Sequence, residues 1–149
     1  MALGNKVWQD AVTNVTTDRR YELGTLRSVG NKMYKYVTVD TTTTAVGDVV
    51  SYLKLTGYAN SDVSVTASAC DGVGAGVCVS VIANNEFGWV QIRGAATCST
   101  AFSGSPADGC ALTTTGAGNK TMDKAIASEF ICAAAMDESA KTIICDFPF

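Results

Sequence analysis

Histidine is absent from the 149 residues, and with it goes the side chain whose proton comes and goes most readily near neutral pH. Ser-His-Asp and Cys-His catalysis and His-bearing zinc sites are thereby excluded. Carboxylates remain the candidates for general acid–base work: Asp71, Asp108, Asp123, Asp137 and Glu138. Each sits in a stretch rich in Gly or Ser, where a short acidic side chain bonds its own backbone and closes a turn, so turn and surface roles are expected of them. The six cysteines, Cys70, Cys78, Cys98, Cys110, Cys132 and Cys145, follow one another at gaps of 8, 20, 12, 22 and 13 positions. Zinc or iron–sulfur ligation draws on close pairs such as C-x-x-C. None occurs here, and neither a metal nor another cofactor is expected. Several of the cysteines lie in apolar runs (GVCVSVIA, FICAAAM, TIICDF), where the residue packs as a small hydrophobe, so reduced and mostly buried thiols are expected. The stretch DGVGAGVC has G-x-G at Gly74 and Gly76 but lacks the third glycine and the following helix that would hold a phosphate. It reads as a loop entering a strand at Val77.

The elements that must position these residues belong to a chain of single-domain length, able to bury about two-thirds of its unfolded surface. Its composition is 47% hydrophobic and only 17% charged, which is globular with an exterior of Thr, Ser, Asn and Gly. The formal charge of -3 and the scattering of Lys and Arg, apart from Arg19-Arg20, leave no footprint for phosphates, so nucleic acid is not an expected partner. Lys6, Asp10 and Asp18 interrupt the N-terminal stretch before any apolar run reaches the length of an export signal, and no membrane partner is expected. The sequons at Asn14 and Asn119 are short patterns that recur by chance and carry no weight.

Residues 1–20 read as a polar, Thr-rich extended arm in which Trp8 stands alone, and residues 21–149 as one β-rich domain. From Tyr21 onward, short apolar or alternating runs are separated by Gly, Asn, Asp and Ser. That is the pattern of a mainly β, compact single-domain barrel or sandwich. Two hairpins are expected. One joins YELGTLRSV to KMYKYVTV through Gly30-Asn31; the other joins GVCVSVIA to EFGWVQIRG through Asn84-Asn85. Further strands are expected in DVVSYLKL (48–55), DVSVTASAC (62–70), EFICAAAM (129–136) and KTIICDF (141–147), the last two joined by the turn DESA. Residues 94–119 read as loops and weakly paired strands. The single short helix candidate is Met122 to Phe130. Trp89 is expected in the core, and Phe147 and Phe149 either close the fold, the first expectation, or pack on a neighbouring subunit.

The segments YELGTLRSVGNKMYKYV, AVGDVVSYLKLTGY, VIANNEFGWVQIRGAAT and AMDESAKTIICDFPF together resemble the capsid decoration, or cement, proteins of tailed bacteriophages. The resemblance spans Tyr21 to Arg93 and Met136 to Phe149 and leaves the Ala- and Cys-rich middle, Ala95 to Ala117, outside it. It implies a non-enzymatic virion protein, made in the host bacterial cytoplasm, that sits on the outer face of an icosahedral head. Its partners would be the major capsid protein and further copies of itself, as a trimer. Trp8, Val12, Phe147 and Phe149 are the candidate contacts with the capsid or a neighbouring protomer. Binding only to the assembled, expanded lattice would stabilise that state, and a polar arm would order at that moment by strand addition. The alternative is a tail-fibre or receptor-binding β domain for host carbohydrate, which would expose aromatic side chains at one rim. A small acidic-residue enzyme and a secreted disulfide-stapled module are the remaining rivals.

Overall fold

Strand β1 (Leu26–Val29) turns through Gly30-Asn31 into β2 (Lys32–Val39), with Val29 opposite Lys32 and Leu26 opposite Lys35. Gly30 has φ +59, the left-handed backbone that a two-residue hairpin asks of its first turn residue. The computed structural model describes residues 8, 10–40, 42–54 and 57–148, without the side chains of Tyr58 and Asp71. Phe149 and residues 1–7 lie outside the described residues. The fold is mainly β, with 41% strand against 4% helix in one ten-stranded sheet.

Strands β3 (Val49–Leu53), β4 (Asp62–Ser64), β5 (Cys70–Cys78) and β6 (Phe87–Thr97) complete a ring with β2. Around it, β2 lies parallel to β4, while β4–β3, β3–β5, β5–β6 and β6–β2 are antiparallel, so these five strands close into a barrel. Alternation along β2 sends Lys35, Val37 and Val39 to one face and Tyr34 and Tyr36 to the other. Val37 and Val39 join Tyr52, Val63, Val77, Val90 and Ile92 in the core.

The second expected hairpin is corrected in detail. β5 and β6 do pair, Val77 opposite Gln91 and Cys78 opposite Val90, but β5 is the glycine stretch read as a loop, and VSVIA leaves the sheet after Cys78. Beyond that point the 42–48 segment is its partner instead: Gly47 donates to the Cys78 carbonyl (2.8 Å), and Thr44 and Ile82 bond through backbone and hydroxyl. The Asn84-Asn85 turn is present, with Asn85 at φ +63 and Glu86 N–H on the Ala83 carbonyl at 3.0 Å. Glycine serves β5 by its size. A Cβ at Gly74 would lie 2.8 Å from the Phe147 ring, so the missing side chain makes room for that ring.

The first half of β6 belongs to the barrel and the second half carries β10 (Thr142–Asp146), β9 (Ala133–Asp137), β7 (Ala111–Thr113) and β8 (Asp123–Lys124) in that order. Opposite Met33 and Tyr34 of β2 stand Arg93 and Gln91, so Ile92 is the extra residue of a bulge. The buried Gln91 amide braces it by donating to the Arg93 and Ala95 carbonyls at 3.1 and 2.9 Å. Leu112, Ala133, Ala135, Ile143 and Cys145 face inward and merge with the barrel core. Other boundaries differ from expectation. The 62–70 segment is β4 followed by a 3₁₀ turn at Ala67–Ala69; the 129–136 strand begins only at Ala133; and the helix candidate holds β8 and a turn. The short α1 is Gly57–Asn60.

Candidate interaction surface

Asp108, Asp123 and Asp137 each bond a nearby main-chain group, Glu138 opens the 138–141 turn, and Asp71 lies in β5 with its side chain outside the described residues. Asp108 accepts from Glu138 N–H (2.9 Å), Asp123 from Lys124 N–H (2.7 Å), and Asp137 from the Ser139 hydroxyl and Ala140 N–H (2.6 and 2.9 Å). These bonds, that from Ser139 foremost, hold the Asp137 carboxyl below its ordinary value. Among the described residues no three His, Cys, Asp or Glu side chains gather in a way that could hold a metal ion. Five cysteines are buried and Cys110 is half-buried. Burial pushes the Cys78, Cys98, Cys132 and Cys145 thiols up to about 12, which makes them poor nucleophiles. Lys35 is the one buried lysine among the described residues; its Nζ donates to the Tyr52 hydroxyl at 2.7 Å and lies 4.9 Å from that ring. Burial lowers its pKa.

Trp8 and Val12 do not stand free of the body. The outward face of the β2–β6 pair carries Tyr34, Tyr36 and Trp89, all buried, and the described part of the N-terminal segment lies over them as a strap, Trp8 and Val12 packing on that cluster. Trp8 meets Trp89 edge-on at 5.5 Å, Tyr21 meets Tyr36 at 5.2 Å, and the Arg27 guanidinium sits 5.0 Å from the Trp8 ring. Thr16 and Phe87 exchange backbone bonds of 3.0 and 2.9 Å, a bridge at the start of β6. Asp10 is the clasp. Its carboxylate accepts two bonds from Arg20 (2.8 and 2.9 Å), one from Asn14 (3.2 Å) and one from Tyr21 (3.3 Å). Its carbonyl accepts one from Arg27. The Arg20 bond leads in holding the Asp10 carboxyl below its ordinary value.

Phe147 is inside the fold, 1% exposed, with its N–H on the Ile92 carbonyl at 3.0 Å. It closes the core and has no surface left to offer a neighbour. Phe149 lies outside the described residues.

Residues not anticipated form an apolar face on the outside of the second sheet. Ala95, Ile144, Ala134 and Ala111 stand side by side across β6, β10, β9 and β7, flanked by the exposed Met136. The adjoining loop adds Ile126, Phe130 and Ile131, exposed by 68, 48 and 56%. That loop is held in shape: Ser128 has φ +83, and Glu129 caps the Ile126 N–H at 2.9 Å while donating its own N–H to the Ile126 carbonyl at 3.2 Å. An exposed ion pair, Arg93–Asp146 at 3.5 Å, borders the face. The signal was in TIICD, since two adjacent isoleucines in a strand cannot both face inward. Compared with protein-family models, with curated proteins and with solved structures, the chain gives no match.

Proposed function

We propose that this chain is a structural virion protein that binds the outer surface of an icosahedral phage head and stabilises the major capsid lattice. The observation that carries this reading is the apolar face of Ala95, Ala111, Ala134, Met136 and Ile144 with the exposed Ile126, Phe130 and Ile131 of the adjoining loop. Clustered exposed apolar side chains of this kind mark protein contacts. The resemblance of several segments to decoration proteins supports the major capsid protein, and further copies of the chain as a trimer, as the partners of this face. The contact moves from Trp8, Val12 and Phe147, which pack on their own chain, to this sheet face. The carbohydrate-binding alternative asks for a rim of exposed aromatic rings, whereas Phe130 is the one aromatic among the strongly exposed apolar side chains of the described residues.

Co-sedimentation with heads of the encoding phage tests it. The protein should pellet with expanded empty heads and not with procapsids, and Ile144→Asp or Phe130→Asp should weaken binding by about tenfold or more, as loss of a central apolar contact does. Unchanged binding by both variants, or equal binding to heads and procapsids, would reject the reading.

A further inference from the structure

We propose that the seat formed by Tyr34, Tyr36 and Trp89 also takes the N-terminal strap of a second copy of this chain, so that copies join by exchanging straps. This goes beyond the capsid reading and does not depend on it. Everything the seat recognises belongs to the strap itself: the Trp8 ring on Trp89, Val12 on the aromatic cluster, Thr16 paired with Phe87, and Asp10 clasped by Arg20 and Tyr21. The same segment of a neighbouring copy is complementary by construction, which is the condition for a swap at low cost.

The connection permits it as well. Thr17, Asp18 and Arg19 are exposed, and none of them belongs to a strand. Arg20 ends this connector, its N–H on the Tyr36 hydroxyl at 3.3 Å and its guanidinium on Asp10. Three residues reach about 10 Å when extended, so changed dihedrals in the connector alone would redirect the strap without disturbing the barrel. A strap that leaves uncovers three large aromatic side chains, and an identical strap is the segment already shaped to cover them. Within one copy the strap's effective concentration is in the millimolar range, so exchange competes only when copies are crowded or held side by side.

The Thr16–Phe87 bridge gives the test. Residues that exchange both backbone bonds across an antiparallel pair have Cα atoms about 5.5 Å apart, within reach of a disulfide. Full-length Thr16→Cys/Phe87→Cys protein would be prepared with natural and with 15N-labelled nitrogen, mixed equally at millimolar concentration, oxidised, digested and weighed. Expected are linked peptide pairs of mixed isotope approaching about a quarter of the total, since about half of the seats would hold another copy's strap and half of those the other isotope, falling away when oxidation follows dilution to micromolar. Same-isotope pairs alone at every concentration would overturn the proposal. Should the double variant fail to fold, sedimentation velocity of the unmodified protein against Trp8→Ala decides. Association that grows with concentration and weakens in Trp8→Ala supports exchange; a monomer throughout, or association untouched by the substitution, overturns it. Neither readout involves heads, and association through the Ile144 face would survive Trp8→Ala.

Discussion

Adding one methyl group at Gly74 should destabilise the protein only while the Phe147 ring is present. A Cβ built at Gly74 lies 2.8 and 2.9 Å from two Phe147 ring carbons and 3.1 Å from Thr114 Cγ2, whereas ordinary contact begins at 3.4 Å. The ring must therefore withdraw by about half an ångström from a close-packed core, and overpacking of this kind costs about 1–3 kcal/mol. Alanine recovers about 0.5–1 kcal/mol of the entropy that glycine loses in a strand, so Gly74→Ala should cost about 1–2 kcal/mol net. Phe147→Ala should cost about 3–5 kcal/mol, as loss of a buried ring does. In the Phe147→Ala background the new methyl has room, and Gly74→Ala should become neutral or stabilising. The coupling between the two sites should then be about 2 kcal/mol, within the range for residues in contact. Urea unfolding followed by far-ultraviolet circular dichroism measures all four proteins, with an unchanged m-value as the control for a common mechanism. Additive costs would refute the packing account of Gly74. A near-neutral Phe147→Ala would instead return that residue to the role of a surface contact.

Alkali should unfold the protein early. Cys78, Cys98, Cys132 and Cys145 have thiols raised from 9.0 to about 12, so their contribution is complete below about pH 9 and is lost as pH climbs toward 12. At pH 10 the loss is on the order of 1 kcal/mol per thiol and a few kcal/mol together, and unfolding titrations between pH 8 and 10 should show it. Lys35, lowered by burial, acts in the opposite direction: its charged form weakens the fold below its native pKa and the penalty lifts as pH rises toward 10.5. Lys35→Met should therefore stabilise more at pH 7 than at pH 10, read from paired urea midpoints. Asp10→Asn should loosen the strap, lowering hydrogen-exchange protection at Thr16 and Phe87 while leaving β3 and β5 protected. The unmodified strap should loosen likewise as pH falls through the depressed Asp10 pKa, since its carboxylate is the charged partner.

Local chemistry was legible and shared packing was not. The Gly30-Asn31 hairpin, β3 and β10 follow from turn residues and alternation that need no knowledge of the rest of the chain. The DGVGAGVC strand was missed because its residues contribute to the sheet by what they lack, and the ring that fills the space arrives from the far end of the chain at Phe147. VSVIA alternates as a strand should, yet it follows the 42–48 segment, whose hold on Cys78 and Ile82 depends on Thr44 and Gly47. The strap looked like a free arm since its own side chains are mostly polar. The clue lay in its seat, where KMYKYV and GWV put large aromatics on the face opposite an already apolar one, so that both faces required cover. The apolar sheet face was hidden by its alanines, ordinary in composition and distinctive only once four strands set them in one row.

Strand β6 is eleven residues long and belongs to both halves of the molecule, paired with β2 and β5 in its first part and with β10 in its second. A pull on the second sheet therefore travels into the barrel along one covalent backbone rather than across a packed interface. Shearing that strand out requires the β2 and β5 ladders to fail together, whereas peeling β8 and β7 from the outer edge breaks a few bonds at a time. The molecule should accordingly be stiff along β6 and yielding across it, and under tension its outermost strands should part well before the barrel opens.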